Sequence, residues 1–289
     1  MPRVDLHLHT TASDGRFRPA EIVHKAVALG LAIIAITDHD SVAGIGEALT
    51  TARDFPQLKV IPGVEINTDV PDGEAHVLGY FIDYTDAKLI ATLDWLRNSR
   101  VQRAQRMIAK LSDLGIHIEW QRVRELAGSG AVGRPHIALA MLEKGYIASL
   151  KDAFTNYISR GGPAYVEREK ITPVGAVELI IQAKGLPVLA HPFTIKDPEA
   201  MITELKAAGL IGIEACYNNY TAHETSQLVA LATKYKLITT GGTDFHGLDD
   251  TTEVMMGGTE VPPAWAEQLM ALARQPKTKL AVERGASGH

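Results

Sequence analysis

The sequence predicts an α/β protein, a parallel sheet or barrel interrupted by a helical insertion, and three observations carry that reading. Short apolar runs of strand length alternate with stretches of helical periodicity. Most of those runs stop at a histidine or a carboxylate, and between residues 99 and 160 the alternation gives way to short helices separated by glycines. In parallel α/β architectures functional groups gather beyond the carboxyl ends of the strands, so the second observation also says where the chemistry sits.

The first strand, residues 3–10, alternates Val4, Leu6 and Leu8 with Asp5, His7 and His9. Side chains two apart on a strand share a face, so His7 and His9 offer their imidazoles together. Asp14-Gly15 is a turn signal that swings a carboxylate back toward them. Residues 19–29 read as a helix opened by proline and stopped at Gly30. Residues 31–36 read as a strand buried on both faces, and it runs into Thr37-Asp38-His39-Asp40.

A helix over 41–53 and a strand over 59–64 follow, the strand delivering Glu65. A further strand over 75–82 has His76 at its start. Residues 86–114 are amphipathic and too long for a routine crossover, and read as one helix or a broken pair. Short helices are expected at 118–127, 135–143 and 150–159. Arg100, Arg103, Arg106 and Lys110 recur at helical spacing and read as a solvated face.

The alternation then resumes. Helices are expected at 172–184, 200–208, 223–235 and 265–273. Strands are expected at 187–190, ending in His191-Pro192; at 210–215; and at 237–240, leading into Gly241-Gly242-Thr243-Asp244-Phe245-His246. A short strand at 254–256 would bring the total to seven or eight. The expected domains are an α/β part of residues 1–98 plus 161–289 and an inserted helical subdomain of residues 99–160.

The 29 basic and 34 acidic residues leave a net charge of −5, so no global positive field draws the chain to nucleic acid or membrane. A phosphate substrate is still compatible, because divalent ions invert the field locally. The single cysteine, Cys216, excludes an intrachain disulfide and a thiolate zinc cluster and fits a reducing compartment. Without a secretory leader or a long apolar run, the cytoplasm is the expected location, with no membrane contact and no obligate protein partner.

His7, His9, Asp14, His39, Glu65, His76, His191, Asp244 and His246 are the candidate metal ligands, since nearly all fall at or just past the end of an expected strand. Six imidazoles and three carboxylates exceed the needs of one four-coordinate ion, so two or three divalent ions are expected. Glu65 is the candidate bridge, having two oxygens to share. Mixed nitrogen and oxygen ligation suits Mn²⁺, Zn²⁺ or Fe²⁺, with Mn²⁺ favoured. Asp38 and Asp40 are expected to orient the imidazole between them. His24, His117, His223 and His289 read as surface groups.

The runs DLHLHTTASDG, ITDHD, PGVEI, LAHP and GGTDFH resemble the PHP family, the polymerase and histidinol phosphatase superfamily of metal-dependent phosphoesterases. The resemblance implies a distorted (β/α)7 barrel with up to three metal ions. It implies ligands at His7 and His9 in the first motif, His39 in the second, Glu65 with His76 in the third, His191 before its proline, and Asp244 with His246 in the last. Asp14 stands where many relatives have histidine. The insertion carrying VGRPHIA, followed by GGPAYV, is similar to a subgroup that includes a nucleoside 3′,5′-bisphosphate phosphatase and short-RNA 5′-to-3′ exonucleases. In that subgroup the insertion caps the metal mouth and helps select the substrate.

The expected reaction is therefore hydrolysis of the 3′-phosphate of a nucleoside 3′,5′-bisphosphate by metal-activated water, with His191 or His246 as the candidate acid. The rival readings are a 5′-to-3′ exonuclease on short RNA, a histidinol-phosphate phosphatase, and a non-catalytic binding module. Arg134, His136, Arg160, Arg168 and Lys170 are candidates for the terminal phosphate. Tyr217, Asn218 and Asn219 are candidates for the base or ribose.

Overall fold

The strand-forming runs assemble into one seven-stranded sheet whose order in space follows the order in the chain. Its strands are β1 (Arg3–Leu8), β2 (Leu31–Ile36), β3 (Lys59–Val70), β4 (Gly73–Tyr80), β5 (Leu186–Leu189), β6 (Gly212–Tyr217) and β7 (Ile238–Gly242). The helices are α1 (Pro19–Ala28), α2 (Ile45–Ala52), α3 (Ala87–Asp113), α4 (Trp120–Ala127), α5 (Arg134–Glu143), α6 (Leu150–Ala153), α7 (Pro173–Gln182), α8 (Pro198–Ala208), α9 (Ala222–Lys234) and α10 (Pro263–Ala273). This computed structural model describes residues 3–70, 73–128, 132–167, 170–218, 220–248 and 253–275. It divides into two units, Met1–Ile90 with Ile171–His289, and Ala91–Lys170. Among the described residues no helix is long and apolar enough to cross a membrane.

In the first unit β1 to β3 pair in parallel, as do β5 to β7, while β4 is antiparallel to both of its neighbours. The reversed β4 departs from the all-parallel expectation, and its cause is covalent. Only residues 71–72 separate β3 from β4, whereas a parallel pair needs a crossover of about a dozen residues or more. Reversal has a functional consequence: the amino end of β4 lies where the other strands have their carboxyl ends. His76, out of place at a strand start, is thereby carried to the same rim, opposite Asn67 in the β3–β4 register.

The sheet returns on itself beyond β7, where Leu8 bridges Phe245 in parallel and the His9 N–H donates to the Phe245 carbonyl at 3.0 Å. Leu8, Ile34, Ile36 and Val60 pack on Ile22, Val23 and Ala26 of α1 and Ala48 of α2. Val4 and Leu6 join a cluster with Ala266 and Leu269 of α10. With its apolar side chains packed against helices and neighbouring strands, β1 leaves Asp5 and His7, with His9 just past its end, to the opposite face. Residues 254–256, expected as a strand, form none.

At Gly242 β7 runs hard against β1: a Cβ there would lie 2.5 Å from both the Cβ and the backbone N of His7. Backbone cannot retreat as a side-chain tip can, so Gly242→Ala is expected to destabilise the protein by about 1–3 kcal/mol through overpacking. Urea unfolding measures this, and an unchanged midpoint would show that closure tolerates the added methyl.

The second unit has its own core, with Met107 and Leu111 of α3 packed among Val123, Ile137, Met141 and Ile158. α3 runs unbroken for 27 residues. The expected solvated stripe on α3 is corrected in part. Arg103 Nε donates to the Val166 carbonyl at 2.8 Å and Lys110 Nζ to the Tyr165 carbonyl at 2.7 Å. These two cations hold the end of the insertion against its longest helix.

Candidate metal centre

Strand periodicity and loop anchoring converge on one rim of the barrel. His7 on β1 and His9 just past its end project to the same side, with ring centroids 5.2 Å apart. The loop after them is tied down by Asp38, which accepts from Thr10 N at 2.7 Å, Thr10 Oγ1 at 2.8 Å and Ser13 Oγ at 2.6 Å. That anchoring places Asp14 over the same rim. Across it, Asp5 accepts from Thr243 N at 3.0 Å and Thr243 Oγ1 at 2.7 Å, fixing the segment that carries Asp244.

Three interlocking donor groups result, each with its ligating atoms within 4.8 Å of one another: His7, His9, Glu65 and Asp244; His9, Asp14, His39 and His246; and His39, Glu65 and His76. His191 stands beside the third, its Nε2 3.0 Å from Glu65 Oε1. Glu65 is the hub. Its Oε2 lies 3.2 Å from His7 Nε2, 3.3 Å from His9 Nε2 and 2.9 Å from His39 Nδ1, and its Oε1 lies 2.9 Å from His76 Nδ1. Asp244 Oδ1 lies 2.9 Å from His9 Nε2 and 3.3 Å from His7 Nε2. Asp14 Oδ1 lies 3.4 Å from His246 Nε2.

Charge in this centre is mutually sustained. Burial disfavours charge on His9, but Asp244 and Glu65 outweigh it and raise the imidazole to about 10. Burial likewise opposes charge on His76, which Glu65 raises to about 9. Against the same desolvation, His39, His7 and His76 hold Glu65 well below the usual carboxylate range. Burial wins at His39, whose pKa is lowered.

The donor set fits divalent ions on geometric grounds as well. Buried polar atoms are normally hydrogen-bonded. Here His7 Nε2, both ring nitrogens of His9, Asp14 Oδ1, Glu65 Oε2, His76 Nε2 and Asp244 Oδ1 are buried without a well-formed hydrogen bond, and most of them face one another at the distances given above. His191 and Asp244 also sit at positive φ, 27° and 54°. Such strained backbone persists where its surroundings over-determine it, commonly at functional sites.

The supporting residues were only partly visible in the sequence. Asp38 anchors a loop, and Asp40 accepts from Asn67 N at 3.0 Å and Asn67 Nδ2 at 3.2 Å. Asn67 in turn faces His39 Nδ1 at 3.1 Å. Asp5, Asn67 and Glu214 also support the site, and no strand-end pattern in the sequence singles them out. The available signal was a charged or amide group within an otherwise buried strand. Tyr217, expected against a base or ribose, donates from Oη to Asp244 Oδ2 at 3.0 Å and so orients a carboxylate of the cluster.

Among the substrate candidates, Asn218 lies at φ 35° beside the centre, and its Oδ1 is buried with no hydrogen-bond partner. Asn219 and Arg168 lie outside the described residues. The remaining candidates belong to the second unit. Arg134 opens α5 with its guanidinium 5.9 Å from the Phe154 ring centroid, and His136 Nδ1 accepts the Gly133 N–H at 3.0 Å. Arg160 lies 3.3 Å from Glu167 Oε1, and Lys170 is half-buried.

Clustered imidazoles around shared carboxylates at the rim of a distorted α/β barrel define the class, a metal-dependent phosphoesterase. The PHP domain family model matches residues 5–170, and the chain belongs to that family. The 5′-3′ exoribonuclease Rnm of Escherichia coli is 34% identical over 278 residues, covering 94% of each chain. The 3′,5′-nucleoside bisphosphate phosphatase of Chromobacterium violaceum is 30% identical over 275 residues, covering 91% of this chain and 94% of its own. A solved structure of an amidohydrolase from Chromobacterium violaceum, with bound sulfate and no metal, matches at a TM-score of 0.79 and 29% identity, over 93% of this chain and 96% of that one.

Proposed function

We propose that this enzyme hydrolyses the phosphoester on the 3′ oxygen of a 5′-phosphorylated nucleotide, with nucleoside 3′,5′-bisphosphates as its main substrates. The observation that carries this reading is a bond shared by the substrates its relatives are named for. Removing the 3′-phosphate of a bisphosphate and cleaving the first nucleotide from a 5′-phosphorylated RNA both expel the 3′ oxygen of a 5′-mononucleotide. The two reactions differ in whether the attacked phosphorus carries another nucleoside. The exoribonuclease relatives support short RNA as a second substrate of the same centre.

In this reading the nine donors hold two or three divalent ions, Mn²⁺ favoured. When bound, such ions neutralise the phosphoryl oxygens and lower the pKa of the attacking water. The chain itself holds the donors in place and keeps competing nucleophiles out of play. Burial pushes the Cys216 thiol up, which suits an inert packing role. His191 and His246 are assigned to ligation rather than to acid catalysis, because their Nδ1 atoms already meet Thr194 Oγ1 at 3.1 Å and the Asp244 carbonyl at 2.8 Å. In the same reading Arg134, His136, Arg160 and Lys170 are the groups for the 5′-phosphate and Asn218 the group for the nucleoside. A cytoplasmic location fits the lone cysteine.

The test is product analysis with metal-loaded protein on a 3′,5′-bisphosphate, a 5′-phosphorylated short RNA and histidinol phosphate. A 5′-mononucleotide is expected from the first two. Turnover confined to histidinol phosphate, or products that keep a 3′-phosphate, would overturn the reading. Arg134→Ala is expected to weaken 5′-phosphorylated substrates by about 10- to 100-fold, the loss of a charge-assisted hydrogen bond. Substrates without the 5′-phosphate should be unaffected. Equal losses in KM for both would remove Arg134 from the pocket.

A further inference from the structure

We propose that Glu214 is a positioning residue that ties two ion positions together, fixing the imidazole of His7 and the backbone of His191 at once. Glu214 sits mid-strand in β6 and is fully buried. A carboxylate persists there only with strong partners. One oxygen, Oε1, lies 2.9 Å from His7 Nδ1, and the other, Oε2, accepts the His191 N–H at 2.9 Å.

Each contact governs a ligand. An imidazole binds an ion through a nitrogen that carries no proton, so an acceptor at Nδ1 keeps the proton there and leaves Nε2 for the metal. His7 Nε2 is the atom that faces Glu65 and Asp244. The His191 backbone is strained at φ 27°, and the bond from its N–H to Glu214 helps hold that geometry while Nε2 meets Glu65 Oε1 at 3.0 Å. Both partners are donors, so both oxygens must accept. A carboxylate does this. A glutamine amide has one acceptor and one donor, and satisfies one partner only by opposing the other.

This inference rests on His7 and His191 being metal ligands. The test uses the metal-stripped full chain, comparing wild type with Glu214→Gln and Glu214→Ala. Zinc binding is followed by calorimetry, and histidine tautomers in the zinc-loaded protein by ¹⁵N long-range correlation spectra. Zinc affinity is expected to fall about 10- to 100-fold in both variants. In Glu214→Gln the His7 ring signals should also shift while those of His24 stay in place, a signature that general loosening of the barrel would not give. Wild-type affinity with unchanged His7 signals would overturn the role of Glu214 alone. Failure of the wild type to bind zinc would overturn the ligand assignment, and this inference with it. Should the variants not fold, zinc-loaded wild type decides: a proton on His7 Nδ1 supports the proposal, and one on Nε2 overturns it.

Discussion

Glu65→Gln is expected to lower phosphate release from a nucleoside 3′,5′-bisphosphate by about 10³-fold, ~4 kcal/mol of lost transition-state stabilisation. The reason is the sharing of its two oxygens. Oε2 lies within 3.3 Å of ring nitrogens on His7, His9 and His39, and Oε1 within 3.0 Å of those on His76 and His191. No other carboxylate of the candidate set contacts so many of the proposed ligands. Glutamine keeps the shape but loses the charge, and it turns an N–H₂ donor toward positions meant for cations. The same change leaves buried imidazoles without their counter-charge, and breaking a buried pair in this way costs about 3–5 kcal/mol. The metal-free variant should therefore also unfold earlier than metal-free wild type. Turnover and metal content measured together decide the matter. A variant that keeps wild-type turnover at full metal loading would show that Glu65 bridges nothing.

The strand ends were legible in the sequence because a buried strand that stops at a charged group has few places to put it. That logic puts His39 and Asp244 beyond strand ends, and period-two alternation puts His7 and His9 on one side of the first strand. It worked less well where the topology turns. His76 looked misplaced until the antiparallel β4 brought its start to the rim, and a sheet direction depends on pairing that no local pattern encodes. Asp5 and Glu214 are hidden in the sequence for a different reason. Each lies inside a strand rather than at its end, and one of its partners, Thr243 for Asp5 and His7 for Glu214, is more than two hundred positions away. The helical stretch between the strands shows in the sequence as a break in rhythm. The engagement of Arg103 and Lys110 with residues 165–166 does not show there, since helical spacing tells which face a cation occupies and not what covers it.

Removing the metal is expected to lower the melting temperature by about 10 °C for each tightly bound ion. An ion at a free concentration of ~1,000 times its Kd stabilises the fold by about 4 kcal/mol, and each kcal/mol shifts a domain of this size by about 2–4 °C. The gap should depend on pH, with a sign fixed by the groups that must give up protons. In the metal-free centre His9 is raised to about 10 and His76 to about 9, against an unfolded value near 6.5. Their contribution to the metal-free fold is therefore fully present below about pH 6.5 and lost as pH rises through about 9–10. The carboxylates behave oppositely. Glu65 and Asp244 are held below the usual range, so their contribution is present above the unfolded carboxylate value and lost only as pH falls through their depressed values. Metal must displace the protons on both histidines, so below about pH 9 each displaced proton weakens apparent affinity ~10-fold per unit of acidification. Raising the pH from about 6 to about 8.5 thus weakens the metal-free fold and strengthens metal binding together. Melting curves with and without chelator should separate further at the higher pH, and a separation that narrows instead would show that these imidazoles carry no protons for a metal to displace.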